Sequence, residues 1–185
     1  MKKIRKRISL LLLLLLCAIG GAAAAGTGVV NLEEAVRESV SFKKFNSDLE
    51  KEKDEIQELI RKREEELGKK KNDLESKSSI LTKDALQAKA IEFQKEVFSF
   101  QDSVRQQENM LQEKLNKAVG ILNGEIVKIV EEMVKEEKYS QYSRIVNAAV
   151  FLYYDKKDDL TLEVLKRLNK RKINLLGSDA KKGKK

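Results

Sequence analysis

Chemistry in this chain would have to come from its carboxylates. Glu64-Glu65-Glu66 and Glu131-Glu132 have the residue type for an acid–base pair, in which one carboxyl gives a proton and the other takes one. Adjacent residues on a helix are turned about 100° apart, so neighbouring carboxylates point in different directions. Both clusters read as solvated helix faces. The chain has no histidine and one cysteine, Cys17. Zinc ligation and a histidine-assisted nucleophile therefore lack their side chains. Gly120 and Gly124 stand four apart, a spacing that packs helices closely in lipid. Asn123 and Glu125 argue against a bilayer there, and local bending or close helix approach is expected instead. Nothing specifies an enzyme, a metal site or a cofactor.

The elements say more than these clusters. Of the 185 residues, 37% are charged and 5% aromatic, and proline is absent. That is too polar for a thick globular core and points to an elongated molecule with a small packed part. The net charge of +8 is unevenly placed. Lys2, Lys3, Arg5, Lys6 and Arg7 account for five of the 38 cations and leave 33 against 30 anions, or +3. From Lys170 onward seven more cations face Asp179 alone, which leaves 26 against 29, or −3, for residues 26–169. A slightly acidic body removes the main support for nucleic-acid binding.

Residues 1–25 have the three parts of an export signal: cations at 2–7, an apolar stretch over 8–19, and Ala22-Ala23-Ala24-Ala25 before Gly26. Cleavage is expected between Ala25 and Gly26. Lipidation at Cys17 is disfavoured because Leu16 rather than a small residue precedes it. The periplasm is the expected compartment, and the processed chain would carry no cysteine for a disulfide.

Behind the signal, Val29-Val30 reads as a short strand, and Leu32, Ala35, Val36 and Val40 start a helical spacing. Phe42, Phe45, Leu49, Ile56 and Leu59 continue it. Ile60, Leu67, Leu74 and Leu81 then recur every seven residues, with Arg63, Lys70 and Lys77 on the alternate sites. Half a seam is thin for a coiled coil, and it suits a helix with one side left open. Ser76-Lys77-Ser78-Ser79 is the expected break, with Thr82 capping a returning helix. Phe93, Val97, Phe100, Val104, Leu111, Leu115, Ala118, Leu122, Ile126, Ile129 and Met133 follow at steps of mostly three and four. Residues 42–138 are therefore read as an antiparallel hairpin arm of roughly 70 Å, from the 1.5 Å rise per residue.

Residues 26–41 and 139–170 are read as a small body. Ile145-Val146 and Val150-Phe151-Leu152-Tyr153-Tyr154 predict two short strands joined near Asn147-Ala148. Thr161 predicts the cap of a closing helix with Leu162, Leu165 and Leu168 on its apolar face. Val29, Val30, Leu32, Ile145, Val146, Val150, Leu152, Leu162, Leu165 and Leu168 are the expected body and oligomer core, since so small a sheet calls for self-association. Residues 171–185 are expected to be a disordered basic tail, open to anionic lipid. The fold class is α+β, mostly α: a long helical hairpin projecting from a small β-sheet body.

The order of signal, Val29-Val30-Asn31-Leu32, charged hairpin, Ile145-Val146-Asn147-Ala148-Ala149-Val150-Phe151-Leu152-Tyr153 and the ending Asp159-Leu160-Thr161-Leu162-Glu163-Val164-Leu165 resembles the Skp/OmpH periplasmic chaperones. The resemblance covers nearly all of the chain after the signal, and its most specific part is the ending. The tail after Asn169 and the insertion-like Tyr139-Ser140-Gln141-Tyr142-Ser143 depart from the family pattern. The resemblance implies a homotrimer whose strands build a shared body, with three arms around a cavity that holds unfolded outer-membrane proteins without ATP. Ile60, Leu67, Leu74 and Leu81 are then candidates for client contact. The alternative is an exported structural or adhesive coiled coil without chaperone activity, which would have no use for the terminal strands and closing helix.

Overall fold

The computed structural model describes residues 26–175. The expected signal, with Cys17 and Ala25, and residues 176–185 lie outside the described residues. Strand β1 (Gly26–Val30) leads into a short helix, α1 (Leu32–Glu38), and then into two long ones, α2 (Val40–Ser76) and α3 (Lys83–Met133). Strand β2 (Tyr142–Asn147) and the closing helix α4 (Thr161–Leu168) complete the body.

Local chemistry sets each boundary. Asn31 caps α1, its Oδ1 accepting from the Glu34 N–H at 3.1 Å, and Glu33 and Glu34 favour the positive end of the helix. At Ser39 the backbone leaves helical geometry, with φ −66° and ψ 140°. The Ser39 hydroxyl donates to the Val36 carbonyl at 2.8 Å and accepts from the Phe42 N–H at 3.2 Å, so this fully buried side chain closes α1 and opens α2. The arm then turns without glycine or proline. Ile80 and Leu81 N–H groups both return to the Lys77 carbonyl, and Thr82 Oγ1 accepts from the Ala85 N–H at 3.3 Å, the expected cap of α3. Helices of 37 and 51 residues rise about 55 and 75 Å. The hairpin reading thus holds over a single continuous rod.

β1 and β2 pair in parallel, Gly28 opposite Ile145 and Val30 opposite Asn147, with an irregularity between Gly26 and Thr27. Parallel pairing requires a long crossover, and here the entire arm is that crossover. The Leu160 N–H donates to the Val29 carbonyl at 2.8 Å and ties the approach to α4 against the same strand.

The core sits where α3 enters the body. Leu122, Ile126, Ile129 and Met133 are fully buried against Val30, Ala35, Val36, Val164 and Leu168. The root of α3 therefore belongs to the body's packing, although residues up to 138 were expected to be arm.

Four expectations need correction. First, the second strand at 150–154 does not form. Asn147 Oδ1 accepts from the Ala149 N–H at 3.3 Å and starts a 3-10 turn, Ala148–Val150, which diverts the chain before its β propensity can act. Second, Thr161 is not the cap of α4. Asp159 Oδ1 accepts from the Thr161 N–H at 2.9 Å, while Thr161 Oγ1 accepts from the Asn31 N–H at 2.9 Å across the body. Third, Gly120 and Gly124 make no close helix approach, because a Cβ at either would meet nothing within 4 Å. Fourth, residues 171–175 are ordered against the arm roots, with Leu175 only 6% exposed. Charge averaging over the tail had concealed Ile173 and Leu175.

Of the expected body core, Val29, Val30 and Leu168 are buried, and Leu32, Ile145, Val146 and Leu165 are half-buried. Val150, Leu152 and Leu162 lie outside the packing of the single chain, Leu162 being 76% exposed. In α4 the position that Leu162 was expected to fill is taken by Val164, which is fully buried.

Candidate functional site: the open face of the arm

The arm is held by ion pairs as well as by apolar contact. Glu96 on α3 accepts from Lys70 Nζ at 2.7 Å and from the Arg63 guanidinium at 3.2 Å, both on α2. Nearer the body, Lys114 on α3 pairs with Glu52 on α2. The Lys70 hydrogen bond is the main reason that the Glu96 carboxyl is held below the usual carboxylate range. Arg63 and Lys70 occupy the alternate sites of the half-filled seam. They reach across the arm where two apolar side chains would otherwise meet.

The consequence is an incompletely closed seam. A groove of about 520 Å³ runs along it, lined by Ile60, Leu67, Phe93, Val97, Phe100 and Val104, with Glu64, Lys71 and Gln101 at its margin. Apart from Leu67, these apolar residues are half-buried, so their side chains reach solvent. Closer to the tip, Leu74 and Phe93 share a smaller cleft of about 240 Å³ whose other walls are charged: Lys70, Asp73, Lys77, Lys89, Glu92 and Glu96.

Of the four candidates on the first arm, Ile60 and Leu67 thus meet in the groove, Leu74 lies in the neighbouring charged cleft, and half-buried Leu81 lines neither. Leu67 is spent on packing, at 7% exposure. Leu59, read as part of the apolar spacing, is 65% exposed instead. A second set was missed. Ile80, Ile91, Phe98 and Met110 are exposed on the arm, with Ile80 at 81% and Phe98 at 60%. Ile91 and Phe98 are seven residues apart and share one face of α3. The signal was present, since each is a large apolar residue off the seam register, but a search along the seam passes over them.

This surface offers no nucleophile–base pair. It offers shallow apolar contact bounded by charges of both signs, which suits a flexible apolar segment held without burial of either partner's backbone.

The family model for OmpH-like outer membrane proteins matches residues 26–168. An uncharacterised protein of Aquifex aeolicus is 31% identical over 141 residues, covering 76% of this chain and 84% of that one. A crystal structure from Caulobacter crescentus, described as a candidate OmpH-like outer membrane chaperone, superposes with a TM-score of 0.69. It is 17% identical and covers 81% of this chain and 87% of its own. With the family match spanning both roots of the arm, the closing helix and the whole hairpin between them, the chain belongs to the OmpH-like outer membrane protein family.

Proposed function

We propose that this chain is an ATP-independent periplasmic holdase, exported by a signal cleaved after Ala25, that keeps unfolded outer-membrane proteins soluble. The open groove of Ile60, Phe93, Val97, Phe100 and Val104 is the observation that carries this reading. An unfolded barrel strand exposes apolar side chains at alternate positions. Several shallow apolar contacts within a charged margin retain such a chain and leave the complex soluble. The family membership and the description of the Caulobacter structure support the same reading.

Three copies would share one body. Support comes from the apolar run Val150, Phe151, Leu152 and Tyr153, exposed beside a sheet of two strands. A sheet so small gains stability when other chains add to it. Sedimentation should give an elongated trimer.

The deciding assay uses full chain and a denatured outer-membrane β-barrel protein diluted into buffer without nucleotide, with light scattering as readout. The protein should suppress aggregation. The double variant Ile60→Asn/Phe100→Ser should lose most of that suppression with an unchanged circular dichroism spectrum. Equal suppression by the variant would remove the groove from the mechanism, and no suppression by the wild type would remove the holdase.

A further inference from the structure

Residues 169–175 lie beyond the stretch that the family match covers, yet they touch both roots of the arm. Asn169 Oδ1 accepts from the Val40 N–H at 2.9 Å, the first backbone donor of α2. Two residues on, the Arg171 guanidinium spans α3: one nitrogen lies 2.8 Å from Glu125 Oε2 and another 2.6 Å from Glu132 Oε2. Those carboxylates are seven residues apart and therefore share one face of the helix. Ile173 and Leu175 then pack against the core, lining a groove of about 430 Å³ with Val40, Phe45 and Leu49 at the base of α2.

This segment is anchored to the body from the other side. It continues directly from α4, whose Val164 and Leu168 are fully buried and whose Thr161 is bonded to the Asn31 N–H. It also bridges the one place where the rising chain leaves helical geometry, Ser39, between α1 in the body and α2 in the arm. The apolar core beneath is non-directional. A guanidinium fork on two carboxylates and an amide on a helix N-terminus fix direction as well as contact.

We propose that residues 169–175 are a clasp that sets the direction in which the arm leaves the body, with Arg171 as its positioning residue. The inference rests on the holdase reading only for its purpose: the direction of each arm sets the width of the client space. The lever is long. α2 rises about 55 Å from Ser39 to its tip, so a 10° swing at the root carries the tip about 10 Å.

The test measures geometry without any client, so it stands or falls apart from holdase activity. In full chain with Cys17→Ser, spin labels are placed at Ser79→Cys on the arm tip and Lys156→Cys on the body. Labelled chains are diluted with unlabelled ones, so that distances within one chain are read. The parent should give one narrow distance distribution. Arg171→Ala should broaden the distribution or shift it by a few ångströms, because only the component of the tip's swing that lies along the line between the labels changes their distance, and Arg171→Lys, which keeps the charge but loses the fork, should recover part of the narrowing. Asn169→Ala reads the α2 contact in the same way and serves if Arg171→Ala fails to fold. A folded Arg171→Ala chain with the parent distribution would overturn the clasp, whatever its melting temperature.

Discussion

Gly28→Ala sets two opposing effects of known size against each other in the middle of the sheet. Gly28 lies in β1 opposite Ile145, and its backbone is one that any residue can adopt. Conformation alone therefore favours alanine by about 0.5–1 kcal/mol, because glycine loses more freedom on folding. Space decides otherwise. A Cβ built there comes to 2.9 Å from Leu160 Cδ1 and 3.1 Å from Ile145 Cγ1, closer than carbon atoms rest. Leu160 is buried and held through its N–H to Val29, and Ile145 is held by the strand pairing. Their side chains can turn away, but the Leu160 methyl only against the packing around it and Ile145 Cγ1 only within the space its paired strand leaves. Overpacking of this kind costs about 1–3 kcal/mol, which at the centre of both ranges leaves a net loss of about 1 kcal/mol. Urea unfolding followed by circular dichroism, at fixed protein concentration, should show a lower midpoint with the slope retained. In a double-mutant cycle, Leu160→Val should relieve part of the loss. A neutral or stabilising Gly28→Ala would refute the crowding argument.

Gly124→Ala tests the opposite condition, since a Cβ there meets open space inside a long helix. It should stabilise by about 0.5–1 kcal/mol, and a loss in thermal unfolding would restore the close helix approach. Acid should loosen the body. Hydrogen bonds from Lys128 and Arg171 hold Glu125 below the usual carboxylate range, and Arg167 does the same for Glu163 and Glu136. Carboxyls depressed in the folded state contribute stability that is complete above their unfolded value, about 4.3, and is lost as pH falls below it toward the folded values. Melting temperature should therefore be flat near neutrality and fall in acid, with a shallower fall in Arg167→Gln; an identical acid profile in that variant would count against the linkage.

Periodicity made the arm legible. Phe93, Val97, Phe100 and Val104 recur at helical steps, and Thr82 marks the start of α3, because helix signals lie within a few residues of the bonds they predict. The body was legible only as a set of parts. Strand propensity names Val29-Val30 and Ile145-Val146 but carries no record of which strand pairs with which, or in which direction. The competition at Asn147 was equally hidden. One side-chain oxygen there outweighs the β propensity of Val150 through Tyr154, which depends on a partner that the single chain does not supply. Thr161 was misplaced for a related reason: it is the first residue of α4 and not its cap, Leu160 holds the cap position without a side-chain bond, and the Thr161 hydroxyl serves Asn31 while Asp159 receives the Thr161 N–H. For the residues of the open groove, the reading followed the seam and found Ile60 and Leu67. It missed Phe98 and Ile91, whose exposure depends on what does not cover them.

The groove and the ion pairs of the arm have one origin. If Arg63 and Lys70 were apolar, α2 would carry a filled stripe and the two helices would close into a dry seam, with knobs packed at interior density. As cations they cannot be buried alone, so they turn to Glu96, and beyond Phe45 only Leu67 on α2 reaches full burial. Surface ion pairs add little net stability. Their effect here lies in what they displace: they keep the helices associated while withholding the apolar residues that would seal the groove. Charge at alternate seam positions is thus a way to make a helix pair that is stable enough to project from the body and still unsaturated along one side.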